Sequence, residues 1–322
     1  MSEVEPIRLN DLRAVGRELE RPECVLCTAD CRVHVSNWRG GVTTLSANGV
    51  QEAVLARDSG IDLKPNGIAL TQDGSYLLAN LGDDGGVWRL QNDGSLLPFL
   101  TELDGVPLPP ANFVLPDSKG RVWITVSTRV QPRADAYRPI TRDGFVVLAD
   151  DRGARIVADG LGYTNEVQTH PSGEWLYVNE TFARRTSRYR ITTDGSLGVR
   201  ETVTTYGAGM FPDGMCFDEQ GGLWVVSLVS NRVIRVTADG SQFTVLEDAN
   251  AEHVAWVEQA FQDGTMNRPH FDTVRSQRLR SVSSIAFGGR ERRICYLGCL
   301  LGDRIESFES PVAGAEPVHW HW

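Results

Sequence analysis

The chain has 322 residues, 41% of them apolar and 23% charged, with a formal net charge of −10 at pH 7. That acidic balance argues against a nucleic-acid partner, because phosphate-backbone binding runs on clustered Lys and Arg. No apolar run approaches the ~20 residues of a bilayer-spanning helix, so no membrane partner is expected. The N-terminal stretch "MSEVEPIRLNDLRAVGRELERPE" is acidic, lacks an apolar core and does not read as a signal peptide. Six cysteines without such a signal read as reduced thiols, which predicts a cytoplasmic location.

From residue 23 onward one pattern recurs: a polar residue, a run of strand formers, a turn glycine and a second run. "ECVLCTADCRVHVSN" begins at Glu23, "NGIALTQDGSYLLAN" at Asn66, "NFVLPDSKGRVWITV" at Asn112 and "NEVQTHPSGEWLYVN" at Asn165. "FPDGMCFDEQGGLWVV" carries Asp213, and "SSIAFGGRERRICYLG" begins at Ser283. In the four clearest copies the polar anchor stands eight residues before its glycine: Gly74, Gly120, Gly173 and Gly221. Further runs such as "GVWRLQ" (86–91), "FVVLAD" (145–150), "TSRYRIT" (186–192) and "RVIRVTA" (232–238) bring each repeat to about four strands, the size of a propeller blade. The predicted fold class is all-β: one six-bladed β-propeller domain over residues 1–322, built of four-stranded antiparallel blades, whose closure removes exposed sheet edges.

The interval between anchors is 43 to 53 residues until Asp213, and then 70 to Ser283. Within the excess, at about 247–282, "NAEHVAWVEQAF" places Val254, Val257 and Phe261 at helical spacing, with Asn250 as N-cap and "QDG" as the stop. This predicts a helical insertion that finishes on the anchor face, where it packs on the rim or caps the mouth. The cap is the preferred reading, and it sets His253, Trp256 or Met266 against substrate.

In a propeller the first strand of every blade lines the axis, so Glu23, Asn66, Asn112, Asn165, Asp213 and Ser283 sit at one height. A ring of side-chain oxygens that includes two carboxylates suits a hard cation, calcium above zinc. Uncompensated carboxylates at a channel mouth cost free energy, which favours a cation over ordinary turn roles for these residues.

The chain resembles the SMP-30/gluconolactonase family of six-bladed propellers, with the related organophosphate-hydrolysing propellers close behind. The most specific match is "FPDGMCFDEQGGLWVVSLVSNRVIRV", supported by "YTNEVQTHPSGEWLYVNET" and by Glu23. The resemblance implies a calcium ion, or another divalent cation such as Mg²⁺, Mn²⁺ or Zn²⁺, held by Glu23, Asn165 and Asp213. Asn112 would stand beside it on substrate or metal, and the activity would be hydrolysis of lactones or related esters. Two departures bear on the substrate. Where sugar-lactone members carry Arg two places before the third-blade Asn and Asp directly after it, this chain has Pro110 and Phe113. An aromatic thus replaces a polar grip on sugar hydroxyls, and a more apolar lactone or ester becomes at least as good a candidate as an aldonolactone. In the first blade, Cys24-Val25 stands where the family's Gly-Pro would follow Glu23.

Cys24, Cys27, Cys31 and His34 have zinc-like spacing but lie on a strand–turn–strand segment that points them to different faces, so they read as buried free thiols. No G-x-S-x-G elbow is present, His170 reads as a solvated turn residue, and "PVHWHW" (317–322) alternates as a closing strand would. The third-blade loop "TRVQPRADAYRPITRDG" (128–144) offers Arg129, Arg133, Arg138 and Arg142 to an anionic substrate group, with Arg129 as the binding candidate. The fourth-blade loop adds Glu180, Arg184 and Arg185. The expected activity is a metal-dependent lactonase in which Asp213 acts as general base, Asn112 orients the carbonyl or water, and Phe113 and Arg129 bind substrate. A phosphotriester hydrolase, a non-catalytic calcium- or ligand-binding propeller and a strictosidine-synthase-like propeller are the alternatives, and the oligomeric state is left open.

Overall fold

Each recurring segment folds as the inner strand pair of a four-stranded antiparallel sheet, in a computed structural model that describes residues 6–57 and 59–322. The first five residues of the acidic N-terminal stretch lie outside the described residues. Gly74, Gly120, Gly173 and Gly221 close the inner hairpins at φ between 72° and 82°, a conformation other residues adopt at a cost. Blade 1 comprises Val25–Cys27, Val33–Asn37, Gly41–Leu45 and Gln51–Leu55. Blades 2 to 5 have inner strands Pro65–Leu70, Ala111–Pro116, Thr164–Thr169 and Met210–Phe217. Blade 6 pairs Val282–Gly288, Ile294–Cys299 and Ile305–Glu309 with an outer strand from the other end of the chain, Arg13–Val15. Six such sheets around an axis make the six-bladed propeller that the repeats predict.

The closing strand corrects the expectation for "PVHWHW". Arg13–Val15 pairs antiparallel with Ile305–Glu309, whereas residues 318–321 form a turn. Their alternation reflects docking: Trp320 is buried beside Leu19 and Val25, and its carbonyl accepts from Ala29 N at 2.8 Å.

Five residues after its anchor, each of two repeats places a carboxylate that ties the inner hairpin. Asp117 accepts from Arg121 Nε (2.7 Å) and Trp123 Nε1 (3.0 Å), and Asp218 from Arg235 Nε (2.7 Å) and Trp224 Nε1 (2.8 Å). Both indoles are fully buried, so these paired charges anchor the interblade core rather than a site. The cysteines are free, as expected, although Cys31 is only half-buried in its turn.

Hairpin turns between strands 1 and 2 lie at one end of the barrel, and the strand 2–3 loops and blade-to-blade links at the other, with the anchors. The insertion between blades 5 and 6 therefore emerges on the anchor face. It forms α1 (Ala251–Gln262), capped by Asn250 Oδ1 accepting from His253 N, and a short second helix, α2 (Arg268–Asp272), which the periodicity did not indicate. Neither helix is long and apolar enough to cross a membrane.

Deleting residues 1–19 strips Leu12 and Leu19 from the core and bares the edge of Ile305–Glu309. The expected cost is about 3 kcal/mol or more, with a Tm lower by several degrees and increased aggregation, read by calorimetry and light scattering.

A candidate metal centre on the propeller axis

In blades 2 to 6 a local break in the β-ladder falls at the anchor, while Glu23 stands just before the first strand of blade 1. Register shifts fall between Pro65 and Ile68, Ala111 and Phe113, Thr164 and Val167, Pro212 and Met215, and Val282 and Ser284. Each interval contains its blade's anchor, as bulges do where a side chain must be re-aimed. Close approach of neighbouring inner strands follows. A Cβ on Gly214 would stand 2.5 Å from Ser283 O, and one on Gly67 would stand 2.7 Å from Phe113 Cα.

Glu23, Asn66, Asn112, Asn165, Asp213 and Ser283 are all buried. The amide groups of two anchors are tied to the frame: Asn66 Nδ2 donates to Asn112 O at 2.9 Å, and Asn165 Nδ2 to Thr181 Oγ1 at 3.0 Å. Asn179 Nδ2 and Thr181 Oγ1 in turn hold the backbone carbonyls of Asp213 and Pro212, each at 2.9 Å. Ser283 joins the ends of the ring by donating to Glu23 O at 2.9 Å. What remains is a set of acceptors: Oδ1 of Asn66, Asn112 and Asn165 are buried without a hydrogen-bond partner. A buried unsatisfied acceptor costs roughly 1–3 kcal/mol, and three at the same level of one channel call for a shared partner.

The carboxylates deepen that demand. Burial, then the negative charges of Glu23 and Glu166, push the Asp213 carboxyl well above the usual carboxylate range, with Arg21 and Asn165 pulling the other way. Burial, with Glu23 adding to it, pushes Glu166 up to about 8, and the Met215 N–H opposes this. Among the described residues Arg21 is the cation that bonds a ring carboxylate: its Nε donates to Glu23 at 2.8 Å while its guanidinium lies over Trp38. Among the described residues no three His, Cys, Asp or Glu side chains converge into a metal-binding group on their own. The donor set that fits a cation is thus mixed, carboxylates of Glu23 and Asp213 with amide oxygens of Asn112 and Asn165. These are hard oxygens of the kind calcium accepts.

Glu166 was not anticipated. It follows Asn165 within the same bulge, and the pair "NE" in place of "NG" or "NF" was the available signal. Other expected site residues are distributed differently. Phe113 is buried in the interblade core, its ring against Gly67, and lines a cavity of about 220 Å³ that runs along the channel away from the anchors. That cavity is also lined by Ile68, Glu166, Cys216, Ser284 and His319, and it omits Glu23, Asn112, Asn165 and Asp213. Volume and chemistry therefore point to opposite sides of the ring, and the unpartnered oxygens are the better guide to where a ligand's charge belongs. His170 is half-buried at the far end of this cavity, its ring edge on Phe217. Arg129 forms an exposed two-point ion pair with Asp159, both contacts at 2.9 Å. Arg133, from the same loop, is turned inward and bonds Ser127 Oγ at 3.2 Å.

Residues 37–257 match the family model described as SMP-30/Gluconolactonase/LRE-like region. The chain belongs to the SMP-30/gluconolactonase/LRE-like family. A 128-residue stretch is 30% identical to a Pseudomonas putida protein named 6-deoxy-6-sulfogluconolactonase, spanning 38% of this chain and about two fifths (41%) of that relative's length. The fold matches a calcium-binding protein, regucalcin, from Agrobacterium tumefaciens, with a TM-score of 0.72 and 16% identity over 100% of both chains. It also matches a gluconolactonase from Xanthomonas campestris, with a TM-score of 0.67 and 15% identity over 98% of this chain and 96% of that one.

On this family scaffold the insertion builds an apolar cover. Val257, Ala260 and Phe261 of α1, with Met266 and Phe271, bury against Tyr137, Tyr163, Phe182, Phe211, Leu228 and Leu300 from the anchor-face loops and links of blades 3 to 6. Glu258 fastens it, accepting from both terminal nitrogens of Arg184 (2.6 and 3.0 Å) and from Gly209 N (2.7 Å). Met266 lies on this underside. His253 is buried with its Nε2 on His270 O at 3.1 Å, and Trp256, 38% exposed, stacks on His270.

The raised carboxyl groups carry a linkage consequence. Folded Glu166 and Asp213 hold protons above their unfolded pKa values of about 4, so without a cation stability falls as pH rises from about 4 towards 8. In EDTA, Tm should decline across that window. Calcium at 100 times its Kd should restore about 2.7 kcal/mol at neutral pH, and Asp213→Asn should remove most of that calcium response. A calcium-independent Tm in the parent protein would contradict the assignment.

Proposed function

We propose that the chain is a divalent-metal-dependent lactonase whose site is the anchor ring. The observation that carries this reading is the set of three buried, partnerless amide oxygens at the level of Glu23 and Asp213. Membership of a lactonase-containing family supports a hydrolase acting on ester bonds. Glu23, Asn165 and Asp213 would hold the ion, with calcium as the best fit, and Asn112 would stand beside it. When bound, the ion supplies electrophilic polarisation of an ester carbonyl and lowers the cost of negative charge on its oxygen.

The side chains supply positioning and proton transfer. Asp213 is the proposed general base: it takes a proton from the water that adds to the acyl carbon, and returns it to the ring oxygen as the acyl C–O bond breaks. Its backbone is held by Asn179 and its neighbour's by Thr181, so the carboxylate is aimed before substrate arrives. Asn112 orients the carbonyl or the water. The apolar cover of α1 and α2 keeps bulk water from that side of the ring.

On the substrate, Pro110 and Phe113 leave the site without the family's polar grip on sugar hydroxyls, which favours an alkyl or aryl lactone over unsubstituted gluconolactone. The Pseudomonas relative's name adds sulfonated sugar lactones to the set to be tried. A second reading, a calcium-binding propeller without turnover, draws on the fold likeness to regucalcin and on the aromatic packing that seals the cover over blades 3 to 6.

A screen of lactones, aryl esters and phosphotriesters with and without EDTA separates these readings. Lactone hydrolysis abolished by EDTA and restored by calcium is expected, with a higher kcat/KM for an alkyl lactone than for gluconolactone. Asp213→Ala should lower kcat by at least about 10²–10³-fold while leaving the circular dichroism spectrum intact. Calcium binding without turnover of any ester would establish the second reading. Phe261→Ala, which loosens the cover, should cost about 3 kcal/mol of stability and raise KM more than it lowers kcat.

A further inference from the structure

We infer that Arg133 is an anion receptor at the edge of the anchor ring, and that the preferred substrate is a lactone with a fixed negative charge on an arm away from the ring carbonyl. This rests on the lactonase reading of the same site.

Placement comes first. Arg133 opens a short 3₁₀ turn, Arg133–Ala136, inside the long anchor-face loop of blade 3. Its Nη2 donates to Ser127 Oγ at 3.2 Å. Ser127 directly follows Val126, which pairs with Ala111, the residue before Asn112. The Ser127 carbonyl accepts from Thr164 N at 3.3 Å, and Thr164 precedes Asn165. The guanidinium is therefore tethered where the inner strands of blades 3 and 4 present Asn112 and Asn165. Its central carbon lies 5.7 Å from the centroid of the buried Tyr163 ring, and the following residues, Ala136 and Tyr137, run directly into the apolar cover.

Its bonding is the second point. Of the loop's four arginines, Arg129 is paired with Asp159, while Arg138 and Arg142 spend donors on backbone carbonyls. Arg133 has no carboxylate partner among the described residues, and its buried Nε has no hydrogen-bond partner. Thr164 Oγ1, on the residue whose amide Ser127 holds, is likewise buried and unpartnered. A guanidinium carries five donors in a rigid fork matched to carboxylate, sulfonate or phosphate oxygens. Here one terminal nitrogen is answered by Ser127, and leaving the buried Nε without a partner costs free energy. In a chain of net charge −10, with acidic side chains elsewhere available to arginine, the missing anion belongs to a ligand. An anion bound here would hold a lactone by its arm and direct its carbonyl inward to Asn112 and Asp213.

Two measurements test this, one independent of turnover. Calorimetric titration of the calcium-loaded full chain with 2,3-dihydroxypropane-1-sulfonate, against glycerol as the neutral control, should show binding of the sulfonate only. That binding should weaken about 10- to 100-fold in Arg133→Gln, less in Arg133→Lys, and with added salt in the parent protein. Kinetically, a δ-lactone with a sulfonate on its exocyclic arm is compared with the same ring bearing a neutral amide. The ratio of their kcat/KM values should exceed one and fall about 10- to 100-fold in Arg133→Gln, through KM, with partial rescue by Arg133→Lys. Equal loss on both lactones, or sulfonate binding indifferent to Arg133→Gln and Arg133→Lys, overturns the inference. Arg133-dependent sulfonate binding with no lactone turnover would sink the lactonase reading and leave the anion site standing.

Discussion

Desolvation of acidic groups around the axis is the constraint on which the rest of the structure depends. Glu23, Glu166 and Asp213 are each removed from water, burial and the neighbouring carboxylates raise the proton affinity of Glu166 and Asp213, and Arg21 bonds Glu23 alone. An apolar channel would be cheaper. The propeller tolerates the arrangement because the backbone around it is over-determined: five inner strands bulge at the anchor, and Asn179, Thr181 and Ser283 hold the carbonyls that would otherwise relax. Glycine at 214 and at 67 follows from the same demand, since a Cβ at either would force apart strands that must nearly touch.

Most of the fold was legible because a propeller repeats its chemistry. The anchor-to-glycine spacing, the alternating apolar runs and the long fifth interval are each local signals, and together they located the blades, the ring and α1. The misreadings share a cause. Which end of the chain closes the last blade depends on long-range pairing, and nothing in "RAV" (13–15) outweighs the neater alternation of "PVHWHW" (317–322). Arg129 and Arg133 differ in the sequence only by position, yet Asp159, thirty residues from the first, claims Arg129, while Arg133 bonds Ser127. Glu166 carries no repeat signal of its own, because the recurring position is the anchor it follows, whereas a bulge turns two consecutive residues towards the channel. The side chain after an anchor is therefore as informative as the anchor itself.

The aromatic cover shows how one insertion changes the economy of the anchor face. A propeller's loops are ordinarily free to vary because only the strands bear the core. Here Phe182, Phe211 and Phe261 meet edge to face or stacked at 5.4–6.0 Å, so loops of separate blades become one packed unit. Arg184 reinforces it twice, as the ionic partner of Glu258 and as a cation over both Phe211 and Phe261. Such packing makes the face resistant to the small independent loop motions by which an open propeller would admit a ligand.

That rigidity has a chemical use. Electrostatic stabilisation of a developing oxyanion is strongest where dipoles and charges are fixed and water is excluded. On the lactonase reading both conditions would be met on the side of the ring next to the cover, since Asn112, Asn165 and Asp213 all belong to blades whose residues pack in it. Glu23 enters from blade 1, and among the described residues none of that blade belongs to the cover. The ring thus joins a roofed half carrying the amides and the proposed base to an unroofed half carrying the remaining carboxylate with its arginine. A ligand approaching over blades 1 and 2 would meet Glu23 and Arg21 before it meets the aromatic wall. The asymmetry built by one insertion is enough to give an otherwise near-symmetric barrel a direction of entry.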